Sequence, residues 1–344
     1  MKTQQHGGDV YRHKNVIDFS ANMNPLGTPE RVIGAAAESL RDIEHYPDIF
    51  CTELREGLGQ VEGVNPEFIF CGNGAAEVIF SLVLALKPKR ALLTAPTFLE
   101  YEQALRVVDC TIDYVNLKAE HGFAVQESIL DSITKDLDIM FLCNPNNPTG
   151  VLIPKDMLKK ILKKCEEQQV LLVLDECFND FIREPERYTM KEYLTKTPWL
   201  FLLKAFTKRY AMAGIRLGYG ITSNLPLLGR MQDVTQPWNV SIPAQAAGVA
   251  ALQETEYVKR GMEIVHEERA YLKQELQNLG YLVFDSEANY IFFCGPKDLY
   301  EKALAAGFLI RDCGNYRGLE AGYYRIAVRM HADNERMITW LRQL

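Results

Sequence analysis

The segment DIMFLCNPNNPTGVLIPKDMLKKILKKCEEQQVLLVLDE (residues 138–176) is the part of the sequence that most clearly indicates the fold class. It begins with a continuous apolar run, crosses a turn of prolines and asparagines, continues with apolar residues at helical spacing, and ends in a second apolar run. Two such runs joined by an amphipathic helix predict neighbouring parallel strands that are buried on both faces. The segment is therefore typical of an α/β protein.

The same alternation extends over about residues 66–220, where further apolar runs are separated by amphipathic stretches: FIFCG (68–72), RALLTAP (90–96), TIDYVNL (111–117), WLFLL (199–203) and IRLGYG (215–220). This pattern predicts a large domain built on a mostly parallel sheet with helices on both faces. Helical periodicity begins near Pro29, and the residues before it are rich in turn formers.

After residue 235 the pattern changes to two helices, near 242–253 and 255–279, followed by short strand-like segments and a closing helix. We interpret this part as a smaller α+β domain. The expected organisation is an N-terminal arm at 1–29 that packs with the small domain, a large cofactor-binding domain at 30–235, and a small C-terminal domain at 236–344.

Composition limits the function classes. The 344 residues are 47% hydrophobic and 24% charged, as in a globular protein, and the net charge of −7 argues against nucleic-acid or anionic-membrane partners. The longest apolar runs are too short to span a bilayer. Eight cysteines are scattered singly, which favours reduced thiols in a cytoplasmic protein over a disulfide framework or a metal site.

Ligands of doubly wound sheets bind beyond the carboxyl ends of the strands, so the residues after each apolar run are informative. In chain order the five strand ends carry Gly74–Ala76, Phe98, the asparagines of NPNNPTG, Asp175, and the pair Lys208 and Arg216. Each of these, taken singly, also has a purely structural interpretation: in the same order, a tight turn, a core phenylalanine, a rigid proline turn, a buried paired acid and a solvated basic turn.

Together these strand ends supply an anion cradle, an aromatic platform, an amide, a buried carboxylate, a lysine and an arginine. A phosphorylated aromatic heterocycle with a protonated ring nitrogen and an aldehyde would use all six, and pyridoxal 5′-phosphate is such a molecule. A lysine forms the Schiff base with it, and a carboxylate keeps its ring nitrogen protonated.

The motifs NPNNPTG and TKRYAMAGIRLGY, with LDE between them, resemble those of the fold-type I pyridoxal-phosphate enzymes of aminotransferase class I/II, over nearly the whole chain. The resemblance implies that Lys208 is the Schiff-base lysine and Asp175 the partner of the ring nitrogen. It also implies cofactor contacts from Arg216 and Gly74, Ala75 and Ala76 to the phosphate, from Asn147 to the 3′-oxygen, and from Phe98 to the ring face.

The segment HYPD (45–48) resembles the family segment whose tyrosine, here Tyr46, reaches the phosphate in the neighbouring subunit. This implies a homodimer with shared active sites. The chain also departs from the family at two positions. Ala205 stands where Ser or Thr usually binds phosphate, so that contact is expected to be either missing or replaced by one from Thr207. Phe178 stands where many of these aminotransferases have a tyrosine near the 3′-oxygen.

Two branches of the family compete for the reaction. HGGDVY, IDFSANMNPLG, DECFNDF, QPWNVS and the run from IRDCGNYRGL to YYRIAVR resemble the L-threonine-O-3-phosphate decarboxylases of cobalamin biosynthesis more closely than the histidinol-phosphate aminotransferases, which use 2-oxoglutarate. The resemblance implies a small phosphorylated amino acid as substrate. It assigns the substrate carboxylate to Arg325 and the substrate phosphate to candidates Arg311, Arg329 and His6, with Asn24 also in the substrate-binding set and Arg317 as a weaker candidate.

The sequence leaves decarboxylation and transamination open. The bond to Cα that lies perpendicular to the cofactor ring is the one that breaks, and the same lysine and aspartate serve both outcomes. Residue spacing does not show which bond takes that position. A third interpretation, a pyridoxal-phosphate-binding regulator without catalysis, requires an added DNA-binding domain for which the 344 residues leave no room.

Overall fold

The computed structural model describes residues 6–344. Its strands are β1 (Ile17–Asp18), β2 (Ile69–Gly72), β3 (Arg90–Ala95), β4 (Thr111–Asn116), β5 (Ile139–Cys143), β6 (Leu171–Asp175), β7 (Leu200–Ala205), β8 (Gly218–Ile221), β9 (Leu282–Val283), β10 (Tyr290–Cys294), β11 (Phe308–Leu309), β12 (Arg311–Asp312) and β13 (Tyr323–Ala327). Its helices are α1 (Glu30–Glu38), α2 (Thr52–Glu62), α3 (Gly74–Leu86), α4 (Leu99–Val107), α5 (Lys155–Gln168), α6 (Phe206–Arg209), α7 (Leu225–Val234), α8 (Ile242–Ala251), α9 (Thr255–Asn278), α10 (Leu299–Ala305) and α11 (His331–Leu341).

Seven strands form the central sheet in the order β2-β8-β7-β6-β5-β3-β4. All run parallel except β8, which is antiparallel to both of its neighbours. The apolar runs predicted as strands coincide with β2 to β8, so the prediction of a mostly parallel sheet is confirmed. The register aligns Cys143 with Asp175 and Ala205 with Gly218, which brings the ends of β5, β6 and β7 and the start of β8 to one edge.

Helix α5 shows why the intervening segments are helical. Pro154 precedes its first turn, where the missing N–H costs nothing, and Asp156 lies near the positive end of the helix dipole. The apolar side chains of Leu158, Ile161 and Cys165 recur at helical spacing and are buried against the sheet. Each buried side chain of this kind contributes roughly 1.5–3 kcal/mol, which stabilises the helix far beyond its intrinsic propensity.

A second, antiparallel sheet with the order β12-β13-β10-β9 lies in the C-terminal part of the chain, as the predicted α+β region requires. The short strand β1 pairs in parallel with β11, so the beginning of the chain contacts the C-terminal part. Helix α8 packs against α1 and α2, on the side of the large sheet. The boundaries at residues 29 and 235 stay predictions.

The core of the molecule lies on both faces of the central sheet, in two large clusters of buried apolar side chains. All eight cysteines are unpaired, and seven of them are buried. Across residues 6–344, none of the helices combines the length and the apolar character needed to cross a membrane.

Candidate active site

A cavity of about 470 Å³ opens at the edge of the central sheet where the strand ends meet. The predicted site residues that line it are His6, Ala75, Ala76, Phe98, Asn147, Asp175, Thr207, Lys208, Arg216, Arg311 and Arg325. They come from the ends of β2, β3, β5, β6 and β7, from the N-terminal arm and from the C-terminal sheet. The sheet topology therefore brings together residues that are as far as 300 positions apart in the sequence.

One end of the cavity is a cradle for an anion. Gly74, at the N-terminus of α3, has φ +81°, and a Cβ there would lie 2.6 Å from Nη2 of Arg216. A Cβ on Gly218 would lie 2.3 Å from the backbone nitrogen of Ala75. Only glycine permits this close packing. The guanidinium of Arg216 and the free N–H groups at the start of a 13-residue helix thus face one spot, which suits a phosphate.

Asp175 lies at the C-terminal end of β6 and is almost completely buried. Its Oδ2 accepts a hydrogen bond from the hydroxyl of Tyr101 at 2.5 Å, and its Oδ1 accepts one from the backbone N–H of Cys177 at 2.9 Å. Burial raises the pKa of this carboxyl, while the two hydrogen bonds and the nearby Lys208 favour its charged form. Such a fixed carboxylate can hold a protonated ring nitrogen.

Lys208 lies in the short helix α6, directly after β7, and its side chain faces the cavity. Burial lowers the pKa of its amine to about 8, and the positive charges of Arg325 and Arg216 act in the same direction. The ammonium nitrogen lies 5.9 Å from the centre of the Phe178 ring. A larger neutral fraction makes this amine a better nucleophile than an exposed lysine.

Arg325, on β13, is held from two sides. Its Nη1 donates to Oδ1 of Asn147, and its Nη2 donates to the backbone carbonyl of Ser20 at 2.9 Å. Its Nε is buried and has no hydrogen-bond partner within residues 6–344. A buried guanidinium that still has an unpartnered N–H group is suited to bind a carboxylate, because a carboxylate accepts hydrogen bonds from two nitrogens at once.

Arg311 is a second buried arginine at the cavity. Its Nη2 donates to Oδ1 of Asn315 at 2.9 Å, its Nη1 donates to the carbonyl of Asp312, and its guanidinium lies 5.1 Å from the centre of the Tyr316 ring. His6 lies at the mouth of the cavity, where its Nδ1 is 3.3 Å from Oε1 of Glu100. The cavity therefore offers several basic groups besides the phosphate cradle.

Five predicted residues are not in the lining of this cavity: Gly74, which packs against Arg216, and the four described next. Tyr46 is 76% exposed and stacks on Trp238, with 4.3 Å between the ring centres. Arg329 forms an ion pair with Asp333 at 2.9 Å. Asn24 is buried and donates to the backbone carbonyl of Arg209 at 3.0 Å. Their roles toward cofactor and substrate stay predictions, as does that of Arg317, which lies over the ring of Tyr114 beside Glu102.

Two side chains of helix α4 at the site were not among the residues predicted from the sequence. Glu100 lines the cavity, and Tyr101 binds Asp175 from a fully buried position. Both follow Phe98 within one helical turn, and Tyr101 lies three residues after Phe98, with 5.5 Å between the ring centres. The i, i+3 spacing was the available signal, because residues three apart share a helix face.

The donor set fits pyridoxal 5′-phosphate. The phosphate fits the cradle formed by Arg216 and the N-terminus of α3, where Gly74 allows the guanidinium to approach closely, and the ring fits between this cradle and Asp175, with the side chain of Phe98 in the lining. Thr207 and Ala205 both line the cavity, so the threonine hydroxyl is available where the alanine has none. Lys208 would bind the aldehyde, and Asn147 would lie near the 3′-oxygen.

Comparisons with known proteins agree with this geometry. A threonine-phosphate decarboxylase from Salmonella typhimurium is 38% identical, over 98% of this chain and 96% of its own length. An adenosylcobalamin biosynthesis bifunctional protein from Leptospira interrogans is 29% identical, over 98% of this chain and 41% of its own length. The crystal structure of the histidinol-phosphate aminotransferase from Clostridium acetobutylicum matches with a TM-score of 0.88 and 28% identity, covering 94% of this chain and 98% of that one.

The family model described as aminotransferase class I and II matches residues 14–340, which is almost the entire chain. The chain therefore belongs to the aminotransferase class I and II family, whose members depend on pyridoxal 5′-phosphate.

Proposed function

We propose that this protein is a pyridoxal-phosphate-dependent decarboxylase that converts L-threonine O-3-phosphate to (R)-1-amino-2-propanol O-2-phosphate and CO2 in cobalamin biosynthesis. The observation that carries the proposal is the pair of buried arginines, Arg325 and Arg311, that line the cavity together with Lys208. Two such groups suit a small substrate with two anionic ends, a carboxylate and a phosphate. The likeness to the Salmonella decarboxylase supports the same reaction.

In this proposal the cofactor is held by groups from each strand end. Arg216, Thr207 and the backbone of Gly74, Ala75 and Ala76 bind its phosphate, as the close packing of Arg216 on Gly74 supports. Asp175 binds the ring nitrogen, Asn147 the 3′-oxygen and Phe98 the ring face. Lys208 binds the aldehyde carbon.

When bound, pyridoxal 5′-phosphate would supply an electron sink for the bond that breaks at Cα. Arg325 binds the substrate carboxylate and so sets the orientation of the bond from Cα to that group. Arg311 and His6 bind the substrate phosphate at the other end. The reaction breaks the Cα–carboxylate bond, releases CO2 and puts a proton on Cα, and Lys208 is the group placed to deliver this proton from Nζ.

Histidinol-phosphate aminotransferase is the second candidate, and the similar crystal structure from Clostridium acetobutylicum favours it. Histidinol phosphate has a phosphate but no carboxylate, so it offers one anionic group to the two buried arginines, Arg325 and Arg311, during the first half of that reaction. Arg325 is fixed by Asn147 and Ser20 and does not swing freely. The geometry therefore supports the decarboxylase better.

We also infer a homodimer with shared active sites, in which Tyr46 of one subunit binds the cofactor phosphate of the other. An exposed apolar surface around Tyr46 supports this inference, because the side chains of Leu40, Ile43 and Phe50 are all more than half exposed beside it. The eight unpaired thiols support a reducing compartment, the cytoplasm.

The test is a product assay with purified enzyme and three substrates, each with and without 2-oxoglutarate: threonine phosphate, serine phosphate and histidinol phosphate. We expect CO2 and aminopropanol phosphate from threonine phosphate, at a rate that does not depend on the keto acid. If the enzyme forms glutamate from histidinol phosphate and 2-oxoglutarate and releases no CO2 from threonine phosphate, the decarboxylase proposal is rejected and the protein is an aminotransferase. Serine phosphate reports whether the pocket requires the methyl group.

A further inference from the structure

Glu100 is a carboxylate at a site that must bind an anion. Its side chain is only 15% exposed, and it lines the cavity with Lys208 and Arg311. Oε1 lies 3.3 Å from Nδ1 of His6, while Oε2 is buried and has no hydrogen-bond partner within residues 6–344. A carboxylate at this position repels a substrate phosphate directly. Glu100 can favour phosphate binding only by acting on a neighbouring basic side chain.

The backbone directly after His6, at Gly7 and Gly8, is fixed against Ser20. The N–H of Gly8 donates to Oγ of Ser20 at 2.7 Å, and a Cβ on Gly7 would lie 2.2 Å from the carbonyl oxygen of Ser20. The same carbonyl accepts the bond from Arg325. The arm is thus packed against the backbone that orients Arg325, and the contact between His6 and Glu100 holds its outer end.

Because Nδ1 of His6 faces Glu100, Nε2 is the ring nitrogen left for a ligand in the cavity. We infer that Glu100 is a positioning residue for recognition of the substrate phosphate: it holds His6 so that Nε2 is presented to a phosphate oxygen. The charged groups that face Glu100 are His6 from the arm, Lys208 from α6 and Arg311 from β12. Burial raises the pKa of Glu100, and these three groups favour its ionised form.

This inference rests on the proposed function for the identity of the substrate, and its test uses the cofactor-loaded enzyme. Glu100→Gln keeps the shape of the side chain and removes its charge. The matched control is Glu102→Gln on the same helix, because Glu102 is similarly buried, 17% exposed, yet pairs with Arg106 and Arg317 outside the cavity. Unfolding temperatures of both variants verify that they fold.

We expect Glu100→Gln to raise KM for threonine phosphate about tenfold or more, because one charge-assisted contact is lost. The value of kcat should change less than about twofold. Competitive inhibition by inorganic phosphate should weaken by a similar factor, and binding of L-threonine, which has no phosphate, should not change. His6→Asn and the double variant should show the same KM as Glu100→Gln, because the two side chains act as one unit. Glu102→Gln should behave like the wild type.

Three outcomes would overturn the inference: tighter phosphate binding in Glu100→Gln, fully additive effects of the two changes in the double variant, or an equal effect of Glu102→Gln. If the wild type releases no CO2 from threonine phosphate, the proposed function fails. Inhibition or binding by inorganic phosphate, measured by calorimetry on the same loaded variants, then decides the role of Glu100 separately.

Discussion

Asp175 illustrates how single residues determine the chemistry of this site. Burial raises the pKa of its carboxyl and so disfavours the charged form that holds a protonated ring nitrogen. The hydroxyl of Tyr101 and the backbone N–H of Cys177 each donate to it and stabilise the charge. The second carboxylate of the motif, Glu176, accepts bonds from Thr189 and from the backbone of Met190 and has a structural role.

Asp175→Asn should bind the cofactor but lose most activity, because an amide does not keep the ring nitrogen protonated. We expect kcat to fall about a hundredfold or more, equivalent to roughly 3 kcal/mol of transition-state stabilisation. Tyr101→Phe removes one of the two hydrogen bonds and should cost far less. Absorbance spectra report cofactor binding and steady-state assays report kcat. Near-normal turnover of Asp175→Asn would contradict the assigned role.

The lowered pKa of Lys208 predicts a pH-dependent stability cost in the cofactor-free protein. From pH 8 to about 10.5 the unfolded chain keeps a proton that the folded lysine has lost, so the unfolded state binds more protons and stability rises with pH. Below pH 8 the cost of burying the charge is fully present. Lys208→Met removes it.

We therefore expect cofactor-free Lys208→Met to be more stable than the wild type at pH 7 by roughly 1–3 kcal/mol. The difference should shrink as the pH approaches 10. Denaturant unfolding of both proteins between pH 7 and 10 measures this difference. A constant difference over the whole range would mean that the charge of Lys208 is not the cause.

Among the elements, the turn from β7 into α6 carries two residues that line the cavity at the predicted phosphate site. Ala205 ends the strand and pairs with Gly218, and Thr207 follows within the first turn of α6. Both residues line the cavity, but only the threonine carries a hydroxyl. The resemblance to the family places a hydroxyl at position 205, and the prediction that Thr207 replaces that contact can be tested directly.

Thr207→Ala should weaken cofactor binding about tenfold or more, the loss of one hydrogen bond to a charged group. Ala205→Ser in the same chain should restore much of the affinity, because it supplies the hydroxyl at the position that the family uses. Fluorescence titration of cofactor-free protein gives the dissociation constants. Unchanged binding by Thr207→Ala would show that the threonine does not replace the missing contact.

The strands of the sheet were predictable from the sequence, whereas the sequence did not show which arginine side chains face the cavity. Strands β2, β5, β6, β7 and β8 are buried along their whole length, so each appears as an apolar run that needs no partner to be recognised, whereas the edge strand β4 is partly exposed. Arg311 and Arg329 both lie in the C-terminal part of the sequence, yet Arg311 faces the cavity and Arg329 pairs with Asp333. That difference depends on tertiary packing, which residue spacing does not encode.

For the molecule as a whole, the residues around Tyr46 form an exposed apolar surface within residues 6–344. Leu40, Ile43, Tyr46, Ile49 and Phe50 are between 47% and 76% exposed. Tyr46 stacks on Trp238, a residue with φ +61°, so both rings are held in place at the surface. Backbone strain of this kind is retained where function needs it, which agrees with a role for Tyr46 across a subunit interface.

Mixed dimers test the shared active site. Tyr46→Ala and Lys208→Ala should each be inactive or nearly so as purified proteins. If the sites are shared, a mixture that has exchanged subunits should regain about a quarter of the wild-type activity per subunit, because a mixed dimer contains one intact site. Exchange is verified with subunits of different mass. No recovery after verified exchange would show that Tyr46 does not act in the partner's site.

The central claim is that Lys208 and its neighbours remove the carboxylate of threonine phosphate. The most direct measurement uses threonine phosphate labelled with carbon-13 in the carboxyl group, with the cofactor-loaded enzyme and no keto acid. We predict one labelled CO2 for each aminopropanol phosphate formed, and none from Lys208→Ala. Label retained in the substrate, or in a keto acid derived from it, would contradict the account.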